Sequence, residues 1–88
     1  MASPKDVALW ILRQIEQHGY AYQQIIAPQI SQQFGPEFVY KNKSLGLSLT
    51  PAVLRSFNTL TGDGVVWERS VKRWVARRSH HKPGRQQD

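Results

Sequence analysis

Between Arg69 and Arg85 the sequence carries seven basic side chains, Arg69, Lys72, Arg73, Arg77, Arg78, Lys82 and Arg85, and no acidic one. The remainder holds five basic against six acidic residues, a net of −1, so the overall charge of +6 is a local feature of one end. Closely spaced cations neutralise phosphates and release counterions, the sequence-independent chemistry of nucleic-acid binding. A neutral body with a cationic end has the asymmetry of a polyanion-binding surface. Arg69, Lys72, Arg73, Arg77 and Arg78 are therefore the first candidate contacts. Lys41 and Lys43, in a polar loop, and Arg55, Asn58 and Thr59, on one face of the following helix, form a second set. Arg and Asn offer two-pronged bonds to guanine and adenine edges, and Thr bonds phosphate.

Other chemistries are poorly supplied. The absence of cysteine removes disulfides, thiolate metal sites and cysteine nucleophiles together. His80 and His81 are adjacent but have no third ligand placed to complete a metal site. There is no glycine-rich phosphate loop, no nucleophile elbow and no clustered carboxylate pair, so neither an enzyme nor a cofactor is expected. No apolar run reaches the ~20 residues of a membrane span, and the amphipathic N-terminal stretch lacks the core of a signal peptide; a cytoplasmic location and no membrane partner are expected.

The elements that must position the cations can be read from periodicity and punctuation. Ser3-Pro4-Lys5-Asp6 forms a capping box with proline in the first turn, and Val7, Trp10, Ile11 and Ile15 make an apolar stripe that Gly19 terminates. Tyr20 to Tyr22 suits a short extended piece. A second helix is expected from about Gln23 to Phe34 with Ile26, Ile30 and Phe34 inward; Pro28 requires it to start nearby or to bend. Phe38 to Tyr40 suits a strand, Lys41 to Ser44 a loop, and Leu45, Leu47 and Leu49 an extended approach to a third helix. That helix opens on Thr50-Pro51 with a capping hydroxyl, turns Val53, Leu54, Phe57 and Leu60 inward, and ends at Gly62.

Val65 to Arg69 and Lys72 to Arg77 read as two strands of a hairpin. Centring it between Ser70 and Val71 sets Trp67 opposite Trp74 and Glu68 opposite Arg73; Val71 resists the positive φ of a two-residue turn, which favours a four-residue loop or a bulge. Trp10, Ile15, Ile30, Phe34, Val53, Phe57, Leu60, Trp67 and Trp74 are expected to be largely buried. Residues 79–88 contain no apolar side chain and are expected to be a disordered basic tail behind a single domain over residues 1–78.

The order helix, extended piece, helix, helix, hairpin resembles a winged-helix domain, an α+β fold of three helices packed on a C-terminal β-hairpin. The resemblance implies groove reading by helix three and phosphate contact by the hairpin, or wing. At residue level, Phe34-Gly35, Glu37-Phe38-Val39-Tyr40, Phe57, Leu60-Thr61, Asp63, Val65-Val66-Trp67-Glu68-Arg69 and Trp74 resemble a group of small uncharacterised bacterial proteins. The chain departs from that group in Pro28 and in its stronger basicity. Two functions fit: a module binding nucleic acid, duplex DNA foremost, or a protein-interaction module whose basic end meets an acidic protein surface.

Overall fold

The capping box at the N-terminus forms as its spacing requires. In the computed structural model, which describes residues 2–44, 46–78 and 81–87, the Ser3 N–H donates to Asp6 Oδ2 at 2.9 Å and the Asp6 N–H to Ser3 Oγ at 3.3 Å. Helix α1 (Pro4–His18) follows and ends at Gly19, whose φ of 87° lets its N–H return to the Ile15 carbonyl. Its inward face, Val7, Ala8, Ile11 and Ile15, packs chiefly on α3 (Pro51–Thr61) through Val53 and Phe57. Side chains buried this fully each stabilise the fold by roughly 1.5–3 kcal/mol.

The stripe of α3 is narrower than its sequence suggests. Leu60 is 36% exposed, because Val53 and Phe57 at i and i+4 define the inward direction and Leu60 falls to its edge. Trp10, Phe34 and Trp67 are likewise only half-buried, packed on the rim of the core. Thr50 is the N-terminal cap residue in extended conformation, but its hydroxyl makes no capping bond; its N–H instead donates to the Phe38 carbonyl at 3.1 Å. Helix α2 (Gln23–Gln33) runs through Pro28, neither starting at it nor ending there. Pro28 and Gln24 are both exposed, so the carbonyl that proline leaves unbonded meets water, while Ile26, Ala27 and Ile30 anchor the opposite face.

The expected hairpin forms in the expected register. Strands β4 (Val65–Glu68) and β5 (Arg73–Ala76) pair antiparallel with Trp67 opposite Trp74 and Glu68 opposite Arg73, joined by a four-residue loop. It is not the end of the fold, however. Strand β1 (Tyr20–Tyr22) adds antiparallel to β5, and β6 (Gln86–Gln87) adds parallel to β4, giving the strand order β1-β5-β4-β6. Between α2 and α3, a 3-10 turn (Pro36–Phe38) leads into β2 (Val39–Lys41), which pairs with β3 (Leu47–Leu49) as a second hairpin. Leu45, expected to continue the alternation of Leu47 and Leu49, lies outside the described residues. The architecture is thus α+β, with three helices, a mixed four-stranded sheet and a two-stranded arm among the described residues.

Residues 81–87 depart most from expectation. They do not trail as a disordered tail: the Trp67 N–H donates to the Arg85 carbonyl at 2.8 Å and the Arg69 N–H to the Gln87 carbonyl at 2.7 Å. The segment carries no apolar side chain, yet strand pairing and side-chain bonds hold its backbone, and composition alone does not reveal that route to order. Residues 79, 80 and 88 of the expected tail lie outside the described residues. The buried Gln87 amide braces the segment, donating to the Lys82 and Gly84 carbonyls at 2.7 and 3.1 Å and accepting from the Lys82 N–H at 3.0 Å. On the sheet face opposite the two tryptophans, Val66 and Val75 are 0% and 7% exposed, and His81 lies on that face against Glu68.

Phe57, fully buried and edge-on to Trp74 with ring centroids 5.8 Å apart, is the most costly side chain to truncate. Phe57→Ala is expected to lower the unfolding free energy in denaturant by roughly 3–5 kcal/mol. Removing residues 79–88 is expected to lower it by at least about 2 kcal/mol, through loss of the β6 pairing and of the Arg85 bonds to the end of α3. An unchanged midpoint for the shortened chain would show that the segment contributes nothing.

Candidate nucleic-acid interface

The two hairpins face each other across an open groove. One wall is the β2–β3 arm, shaped by Asn42: its Oδ1 accepts from the Ser44 and Gly46 N–H groups at 2.9 and 3.1 Å, and its Nδ2 donates to Ser48 Oγ at 2.9 Å. This Asx-type closure presents Lys41 and Lys43 around the turn. The other wall is the β4–β5 loop, which presents Arg69 and Lys72. Lys72 adopts φ of 54°, the one positive φ outside glycine among the described residues, a conformation costing about 1–2 kcal/mol for a side chain of this type. Its carbonyl accepts from the Gln23 N–H at 3.0 Å, which holds the loop end against the start of α2.

Lys41, Lys43, Arg69 and Lys72 line this groove of about 700 Å³ together with Tyr40 and Trp67, and no carboxylate stands among its described lining residues. Tyr40, half exposed, shares its register position with Ser48, so both side chains leave the arm on the same side. Trp67 packs on Trp74 at 4.3 Å between centroids and 48° between planes. Beyond Tyr40 and Trp67 the groove continues towards α3, where Asn58 and Arg85 border it.

The other candidates from the sequence are dispersed. Arg55 and Thr59 sit with Lys5 and Leu60 on a separate surface of α3. Arg78 borders a depression on the tail side with His18, Tyr20 and His81. Arg73, expected as a phosphate contact, pairs instead with Glu68, donates to the Tyr22 hydroxyl at 3.2 Å and lies 5.7 Å from the centre of the Tyr22 ring. Arg77, expected in the same role, donates to the carbonyls of Asp63, Lys82 and Gly84 at 2.6, 2.9 and 2.5 Å. Arg85 does similar work, donating to the carbonyls of Val65, Asn58 and Gly62 at and beyond the end of α3; burial pushes its guanidinium below its usual pKa. The hairpin register itself foretold that Arg73 meets Glu68. The Arg77 and Arg85 bonds reach partners that no local pattern reveals.

The groove residues that sequence reasoning missed are Gln23, Tyr40, Asn42, Ser44 and Ser48. Trp67 was expected to be core, and Tyr40 a plain strand residue; the alternation of Leu47 and Leu49 after a polar loop was the available signal for a second hairpin. Among the described residues there is no group of three or more His, Asp and Glu able to hold a metal ion, and no helix is long and apolar enough to cross a membrane. His80 lies outside the described residues.

Fold and site together define a small α+β domain with a cationic, aromatic-lined groove between two hairpins. Residues 3–76 match a family of unknown function, DUF6953, and the chain belongs to that family. No curated protein and no solved structure matches it. The match spans α1 through β5 and stops short of β6.

Glu68 is the acidic hinge between the hairpin and the returning segment. The Arg73 guanidinium holds its carboxyl below the usual carboxylate pKa; burial opposes this, and His81 at 3.4 Å reinforces it. A carboxylate with a depressed folded-state pKa contributes stability that is present above its unfolded value, about 4.3, and is lost as pH falls through the folded value. The stability difference between wild type and Glu68→Gln is therefore expected to be largest near neutral pH and to shrink below about pH 4. Denaturant unfolding of both proteins across pH 3–7 checks this, and a difference independent of pH would contradict the pairing.

Proposed function

We propose that this chain is a small nucleic-acid-binding module that works without catalysis, gripping phosphates between its two hairpins. The observation that carries this reading is the convergence of Lys41, Lys43, Arg69 and Lys72 on one groove with no carboxylate among the described lining residues. These cations come from two segments far apart in sequence, and their charge is not consumed by any ion pair recorded among the described residues. The strained backbone of Lys72 supports the same reading, since strain retained at a surface residue is often a functional constraint.

The element order supports a winged-helix-like reading. Helix α1, strand β1, helices α2 and α3 and the β4–β5 hairpin follow that sequence, with β1 joined to β5. The β4–β5 hairpin then takes the place of the wing. The departures are the β2–β3 arm between α2 and α3, and the β6 strand. They move the centre of the proposed interface away from the outer face of α3, where Arg55 is the sole cation and only Asn58 borders the groove. Arg55, Thr59 and Arg78 are accordingly peripheral, and Arg73 and Arg77 structural.

With four phosphates engaged, the slope of log K against log salt is expected to be about −3 to −4. Lys43→Gln and Lys72→Gln should each reduce its magnitude by about one, whereas Arg77→Gln should leave it unchanged and lower thermal stability. Titration of labelled oligonucleotides over a salt series reads all three. Absence of binding to any nucleic acid at low salt and tens of micromolar protein would remove this reading in favour of a protein-interaction module.

A further inference from the structure

We infer that the groove takes a single strand of nucleic acid, its bases stacking on Tyr40 and on the groove side of Trp67 while Lys41, Lys43, Arg69 and Lys72 follow its phosphates. The inference rests on the nucleic-acid reading above and specifies its ligand.

Three observations lead to it. First, the cations line a concave surface, whereas direct readout of a duplex in its major groove uses a projecting element such as a helix or a β-ribbon. The outer face of α3 would be that element, but Arg55 and Thr59 lie on a different surface from the four groove cations. Second, aromatic side chains share the groove with the cations. A lone phosphate clamp gains nothing from exposing half of a tyrosine, whereas the face of a base stacks on it whatever the base. Third, Ser44, Ser48 and Gln23 border the same groove, and on a strand with splayed bases they can also reach the Watson–Crick edges that a duplex hides. Trp67 remains fixed by its contact with Trp74, so it offers a platform that needs little ordering on binding.

The test compares the full chain on three fluorescently labelled probes at one moderate salt concentration: a 12-mer of thymidine, a 12-mer abasic strand with the same phosphates, and a 12-base-pair mixed duplex. Binding to the thymidine strand is expected to be about tenfold or more tighter than to the abasic strand, and tighter than to the duplex. Tyr40→Ala should weaken thymidine-strand binding by about tenfold without changing the salt slope, and Tyr40→Phe should restore most of it. Because Tyr40 is half exposed, these variants are expected to keep their fold, and a circular dichroism melt confirms it. Equal affinity for thymidine and abasic strands, a duplex bound as tightly as the thymidine strand, or indifference to Tyr40→Ala overturns the single-strand inference. In those cases the phosphate-binding reading still stands if Lys43→Gln lowers the salt slope. No binding to any of the three probes removes both.

Discussion

Trp74 joins the sheet to the helices. Its strand, β5, lies between β1 and β4, so its register partners are Ala21 on one side and Trp67 on the other. The small Ala21 leaves room, and the indole meets the edge of Phe57 on α3 while contacting Trp67 beside it. Phe57 in turn belongs to the cluster shared with Val7, Ile11 and Ile15 of α1. The position of the β4–β5 hairpin, and hence of one wall of the groove, follows from this contact together with the Arg85 bonds to the end of α3 and the Gln23–Lys72 backbone bond.

The arginines and lysines divide the basic residues between two tasks. A guanidinium presents five donors in a rigid fork and can satisfy several carbonyls at once, which an ammonium on a flexible stem does less well. Arg77 and Arg85 use that geometry on the connection from α3 to β4, and Arg85 reaches the helix end where carbonyls lack partners and the dipole is negative. Lys41, Lys43 and Lys72 remain on the groove, with Arg69 beside them. The density of positive charge in the sequence thus combines structural bonding with surface charge.

What was legible in the sequence was local. The Ser3–Asp6 capping box, the Gly19 stop and the β4–β5 register each depend on residues within a few positions of one another, where side-chain chemistry restricts the alternatives. The closing of β2 on β3 was less visible because its turn lacks the Asn-Gly or Asp-Gly signal and relies on Asn42 bonding two N–H groups further along. Leu60 shows the limit of periodicity: a stripe allows about three or four residues per two turns, and only the partner helix decides which are covered. The candidate site was half legible. The cation types were plain, but which cations share a surface depends on the arm and the hairpin coming together from opposite sides of α3 in the sequence.

The parallel pairing of β6 with β4 has a consequence for the order of assembly. Strands β4 and β5 close across a four-residue loop, whereas β6 must return over a longer stretch of chain, so the hairpin forms first and β6 docks on it afterwards. Until β6 docks, β4 presents an open edge. Unpaired edges and exposed apolar faces recruit other strands. The segment that carries β6 therefore governs how much of the folding chain reaches the native state, as well as how firmly it holds it.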